Sequence, residues 1–90
     1  MLTSSERKAL KAKAHKLEPV VQIGSKGLTE EVIAEIDRAL RAHELIKVRA
    51  GVMERDARDD ALGAICERTG ADAVQQVGKV FVLFRKRPDE

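Results

Sequence analysis

Residues 20–36 read VVQIGSKGLTEEVIAEI, and within them the apolar period changes. Val20, Val21 and Ile23 crowd a four-residue run that stops at a glycine, the signature of a short strand. From Thr29 onward Val32, Ile33 and Ile36 recur at helical spacing, and Ala39 and Leu40 continue the stripe. A chain that switches period across one four-residue turn must run from strand to helix there. Gly24-Ser25-Lys26-Gly27 is that turn. Thr29 is suited to cap the helix, and Glu30 and Glu31 fall in its first turn, where the helix dipole favours acids.

The rest of the chain repeats the alternation. Thr3 and Glu6 form the T-x-x-E pattern of a capping box. Leu10, Ala14 and Leu17 then mark one stripe of a first helix, and Lys8, Lys11, His15 and Lys16 fall away from it. Pro19 is expected to stop this helix. LIKVRA, residues 45–50, reads as a second strand with Ile46, Val48 and Ala50 on one face and Lys47 and Arg49 on the other. A third helix is expected to turn Ala57, Ala61, Leu62, Ile65 and Cys66 inward and to end at Gly70. Residues 74–77 and 80–84 read as strands joined by a tight Gly78-Lys79 turn, the last apolar throughout and hence central. RKRPDE, residues 85–90, reads as a frayed basic end, so the domain is set at residues 1–85 with residues 86–90 as a short tail. The expected fold is α/β, a single domain of order α-β-α-β-α-β-β. Its four-stranded mixed sheet is parallel across the strand–helix–strand units and antiparallel at the closing hairpin.

Ninety residues leave little room for both a core and a deep substrate cavity. Cys66 is the single cysteine, which excludes an internal disulfide and suits a reducing cytosol. No stretch approaches the roughly 20 apolar residues of a membrane span. The two histidines and the cysteine lie far apart, so no metal site is expected, and no nucleophile–base constellation suggests catalysis. Neither a cofactor nor a small-molecule substrate is expected, and the chain reads as a cytoplasmic monomer.

The net charge is +2, but it is unevenly spread. Residues 1–27 carry +4, 28–44 carry −3, 45–53 carry +2, 54–72 carry −3 and 73–90 carry +2. Alternating segments of opposite sign allow one basic and one acidic face. The basic segments include the strand-to-helix turn. There, glycines admit positive φ and let a ligand approach main-chain N–H groups, the following helix N-terminus favours an anion, and Lys26 adds a full charge. The spacing is neither a dinucleotide fingerprint nor a P-loop. Phe81 and Phe84 are the only aromatics, and both lie in the apolar last strand. With no exposed ring on which to stack bases, a bound nucleic acid would be held by phosphate and sugar.

Three stretches also resemble a known family. Ala14, His15, Leu17 and Pro19 match its A-H-x-L-P-like helix end. Val21, Ile23, Gly24, Gly27, Leu28 and Thr29 match its V-x-I-G-x-x-G-L-T turn, and His43 to Val48 match its H-E-L-I-K-V strand. VGKVFVLFR, residues 77–85, fits its closing hairpin. On these residues the chain resembles the CRM domain, the chloroplast RNA-splicing and ribosome-maturation domain, in its stand-alone bacterial form, the YhbY family. Lys13 and Glu18 depart from the family pattern. The resemblance implies a fold similar to the C-terminal domain of bacterial initiation factor three. It also implies RNA binding through the GxxG loop and its basic surroundings, and association with precursors of the large ribosomal subunit.

The candidate RNA contacts are therefore Gly24, Ser25, Lys26 and Gly27 of the turn, Lys8, Lys11 and Lys16 of the first helix, and Lys47 and Arg49 of the second strand. The expected partner is ribosomal RNA in a pre-large-subunit particle, and the expected role is assistance in ribosome assembly. The alternative is a protein-interaction module whose acidic second and third helices dock a basic partner.

Overall fold

A computed structural model describes residues 2–87. The elements follow in the order α1 (Ser4–Ala14), β1 (Pro19–Gln22), α2 (Glu30–His43), β2 (Leu45–Arg49), α3 (Arg55–Thr69), β3 (Asp72–Val77) and β4 (Val80–Phe84). The four strands form one sheet ordered β1-β2-β4-β3, with β1 parallel to β2 and β4 antiparallel to both its neighbours. The β1-α2-β2 unit thus makes the expected parallel pair. The second unit does not: β4 lies between β2 and β3, because the hairpin returns the chain into the gap beside β2. That central position accounts for the apolar character of β4.

The helices divide between the two sheet faces. Ile33, Ile36 and Leu40 of α2 and Ala61 and Ile65 of α3 pack with Val21, Ile23, Ile46, Val48, Phe81 and Leu83 into the main core. Each fully buried Val, Ile, Leu or Phe side chain there contributes about 1.5–3 kcal/mol. On the opposite face Leu10 and Ala14 of α1 pack on Val74 and Val82, with Phe84 beside them. Thr3 caps α1 through its hydroxyl, which accepts the Glu6 N–H, while the Glu6 carboxylate accepts the Thr3 N–H. Those bonds hold the Glu6 carboxyl below its usual range.

Three further expectations fail. Helix α1 ends at Ala14, well before Pro19, because the Leu17 N–H closes a tight turn on the Ala14 carbonyl at 3.0 Å. Leu17 therefore leaves the stripe and is 36% exposed. Ala57 is exposed, and the buried face of α3 begins at Ala61. Arg85 is no part of a frayed end. Its guanidinium donates to the Asp37 carboxylate at 2.7 Å and to the Thr69 carbonyl at 2.7 Å, tying the end of β4 to α2 and α3. Of the residues read as tail, Arg87 donates its backbone N–H to the Glu44 carboxylate, and residues 88–90 lie outside the described residues.

Candidate nucleic-acid interface

The GSKG turn stands where β1 ends and the chain swings over to α2. The Gly27 N–H donates to the Gly24 carbonyl at 3.0 Å, closing a β-turn with Ser25 and Lys26 exposed at its corners. Gly27 sits at φ 74, in the left-handed region that side chains with a Cβ rarely enter. Thr29 caps α2 as its sequence suggests, its hydroxyl accepting the Val32 N–H at 3.2 Å. The acid nearest the turn, Glu30, is paired with Arg68 of α3 at 2.6 Å. That pairing reduces the repulsion an incoming phosphate meets.

The turn is braced from below. Ile23, the residue before Gly24, donates its N–H to the Arg49 carbonyl at 2.9 Å. Gly51, at φ 73, presses so close that a Cβ there would lie 2.5 Å from the Ile23 carbonyl oxygen. Ala50 in turn donates to the Lys79 carbonyl at 2.6 Å. Three segments, the GSKG turn, residues 50–53 and the β3–β4 turn, thus interlock at one end of the sheet. This is the carboxyl end of the parallel pair, where open α/β sheets carry their ligands.

Lys47 and Arg49 point to the α1 face, as the alternation of β2 predicts. Register sets two rows across the sheet there: Lys47–Val82–Gln75 and Arg49–Val80–Val77. Lys11 of α1 and His15, just past the end of that helix, form the wall above, enclosing a groove of about 340 Å³. Of the candidate contacts on α1, Lys11 alone joins this groove. Lys16 lines a separate cleft with Leu17 and His43, near the start of β2, and Lys8 is exposed on α1. The candidates therefore fall into two connected groups, the turn and the groove, with Lys8 and Lys16 apart. The link is Arg49, whose backbone holds Ile23 and whose side chain lines the groove.

Among the described residues the ion pairs are Arg41–Asp37, Arg68–Glu30, Arg85–Asp37 and Arg87–Glu44. Lys11, Lys26, Lys47 and Arg49 take part in none of them. The acidic helices α2 and α3 cover the opposite sheet face. By charge, α1 holds four Lys/Arg against one acid, α2 two against four and α3 three against four, so the α1 side is the more basic. Lys79 is exposed beside the Ala50 contact, and the sequence does not single it out as a site residue. Its signal was present only as a cation in a hairpin turn, and what brings it near the site is the pairing of β4 with β2. Among the described residues no group of three or more His, Cys, Asp or Glu is placed to hold a metal ion. Among the described residues no helix is long and apolar enough to cross a membrane.

The chain as a whole has relatives. A protein from Pseudomonas aeruginosa named as a probable RNA-binding protein is 44% identical over 87 residues, covering 97% of this chain and 84% of that one. One from Bacillus subtilis, named in the same way, is 34% identical over 86 residues, covering 96% and 90%. The solution structure of a hypothetical protein from Staphylococcus aureus, put forward as RNA-binding, superposes with a TM-score of 0.86 at 32% identity. It matches over 99% of this chain and 93% of that one. A family profile, the CRS1/YhbY (CRM) domain, matches residues 2–85, and with that the chain belongs to the CRS1/YhbY (CRM) domain family.

Proposed function

We propose that this protein is a non-enzymatic RNA-binding factor that grips structured RNA by its sugar-phosphate backbone. The observation that carries the reading is the braced GSKG turn, with its corner residues exposed and a left-handed glycine, joined through Arg49 to cations without acidic partners. Backbone N–H groups and lysines suit phosphate, which is present at every nucleotide. In this reading Gly24, Ser25, Lys26 and Gly27 hold one stretch of backbone. Lys11, Lys47 and Arg49 hold the next, and Lys8 and Lys16 add diffuse attraction. The names of the relatives support RNA as the ligand. We extend it to precursor large-subunit ribosomal RNA in the cytoplasm, with a role in assembly, on the resemblance of the turn and strand motifs.

The test is a titration of ribosomal RNA fragments across salt. With four to six phosphate contacts, log K falls against log salt with a slope of roughly −3 to −4. Lys26→Glu weakens binding strongly and flattens the slope by about one contact, roughly 0.7, while the thermal melt is unchanged. Wild-type affinity in the Lys26→Glu protein would remove the turn from the interface. A stoichiometric protein partner captured on α2 and α3, with no RNA recovered, would favour the adaptor alternative instead.

A further inference from the structure

The groove between α1 and the sheet has an apolar floor that the backbone grip does not use. Its rim carries Lys11, His15, Lys47 and Arg49, and no acid lines it. Its floor is largely apolar, with Gln75 at one edge, and Val77 in that floor is 56% exposed at the end of an edge strand. Like charges gathered around a shared cleft repel one another, and an exposed valine gains nothing from water. Both are satisfied by one kind of ligand, an anionic group joined to a flat apolar one. Strand spacing sets Val77 and Val80, paired on neighbouring strands, about 5 Å apart, with Arg49 about 5 Å further across. Those dimensions accept one ring system lying flat.

We infer that this groove seats a single unpaired nucleotide of the bound RNA. Its base or ribose lies on Val77 and Val80, and its flanking phosphates meet Lys11, Lys47 and Arg49. This rests on the RNA-binding reading above and adds to it a preference for RNA in which a bulge or a strand end frees one nucleotide. Because the floor is aliphatic and not aromatic, the preference is tolerant of base identity. The backbone bond from Ile23 to Arg49 places the groove directly beside the GSKG turn, so a duplex gripped by the turn can deliver the nucleotide that follows it.

The test compares two RNA hairpins, one perfectly paired and one with a single-nucleotide bulge, by fluorescence anisotropy at fixed salt. Wild-type protein favours the bulged hairpin by roughly fivefold, the gain from burying about 40 Å² of apolar surface. Gln75→Glu and Val77→Asp each put a carboxylate into the groove and reduce that preference to about twofold or less. Lys26→Glu weakens both hairpins in parallel and keeps the preference. Circular dichroism and melting identify any variant that fails to fold, and Gln75→Glu is the milder of the two. No bulge preference in the wild type, or a preference undiminished in folded Gln75→Glu, overturns the inference and leaves the RNA-binding reading standing. A co-purifying protein lost from Gln75→Glu with the RNA preference intact would assign the groove to a protein and likewise overturn it. Undiminished binding of both hairpins by Lys26→Glu strikes at the turn, not at the groove.

Discussion

Replacing Gly51 with alanine separates two costs that a left-handed glycine usually hides together. At φ 73 any residue with a Cβ pays for the conformation, about 1–2 kcal/mol. At Gly51 the new Cβ would also meet the Ile23 carbonyl oxygen at 2.5 Å, against a floor near 3.0 Å. The Ile23 carbonyl must retreat by at least the 0.5 Å between those values, and Ile23 is held by its N–H bond to Arg49. Overpacking of this kind adds about 1–3 kcal/mol. Gly70 supplies the control, since it has φ 75 and open space around its Cβ position. Gly70→Ala therefore shows the conformational cost alone. The entropy lost from the unfolded chain is common to both substitutions and cancels in the difference. Urea unfolding of the two variants is expected to differ by about 1–3 kcal/mol, and Tm by roughly 4–8 °C for each kcal/mol. In amide spectra, Gly51→Ala shifts Ser25 and Lys26 and weakens RNA binding, and Gly70→Ala does neither. Equal stability of the two variants would refute the close approach as the brace of the turn.

Three further outcomes follow from the geometry. Arg85 holds the Asp37 carboxyl below its ordinary range, chiefly by a direct hydrogen bond, so this contribution is present above the ordinary value of 3.8 and is lost as pH falls through the depressed one. Arg85→Met lowers stability at neutral pH by about 1–2 kcal/mol and gives a shallower loss of stability between pH 5 and 2 in acid titrations followed by circular dichroism. Thr29→Ala removes the cap of α2 and lowers stability by about 1 kcal/mol in urea unfolding, with faster hydrogen exchange at Val32. Lys79→Glu flattens the salt dependence of RNA binding by about one contact, and Lys86→Glu, an equal charge change at the other end of β4, leaves the slope unchanged.

Local signals account for most of what the sequence made legible. The capping box of Thr3 and Glu6, the Thr29 cap, the GSKG turn and the Gly78-Lys79 hairpin each depend on residues a few positions apart, and each is where its spacing places it. The alternation in LIKVR correctly puts Lys47 and Arg49 on one face. What that face meets was out of reach, because it depends on α1 docking across the sheet from α2 and α3. The convergence of Lys11 with Lys47 and Arg49 is therefore a tertiary fact. So is the pairing of Arg85 with Asp37, which joins residues 48 positions apart. Gly51 gave no warning of its close contact, since a glycine after a strand reads equally well as an ordinary loop residue. The placement of β4 between β2 and β3 was hinted at by its apolar run, but the separation of β3 from β2 was not.

The claim beneath all of this is that RNA lies along the GSKG turn and the groove beside it, on the α1 side of the sheet. Photocrosslinking the wild-type protein to a ribosomal RNA fragment, followed by mass-spectrometric mapping of the crosslinked peptides, tests it most directly. Adducts concentrated on residues 24–27 and around Lys11, Lys47 and Arg49 are the expected result. Adducts confined to the outer surfaces of α2 and α3, with the turn unmodified, would contradict it.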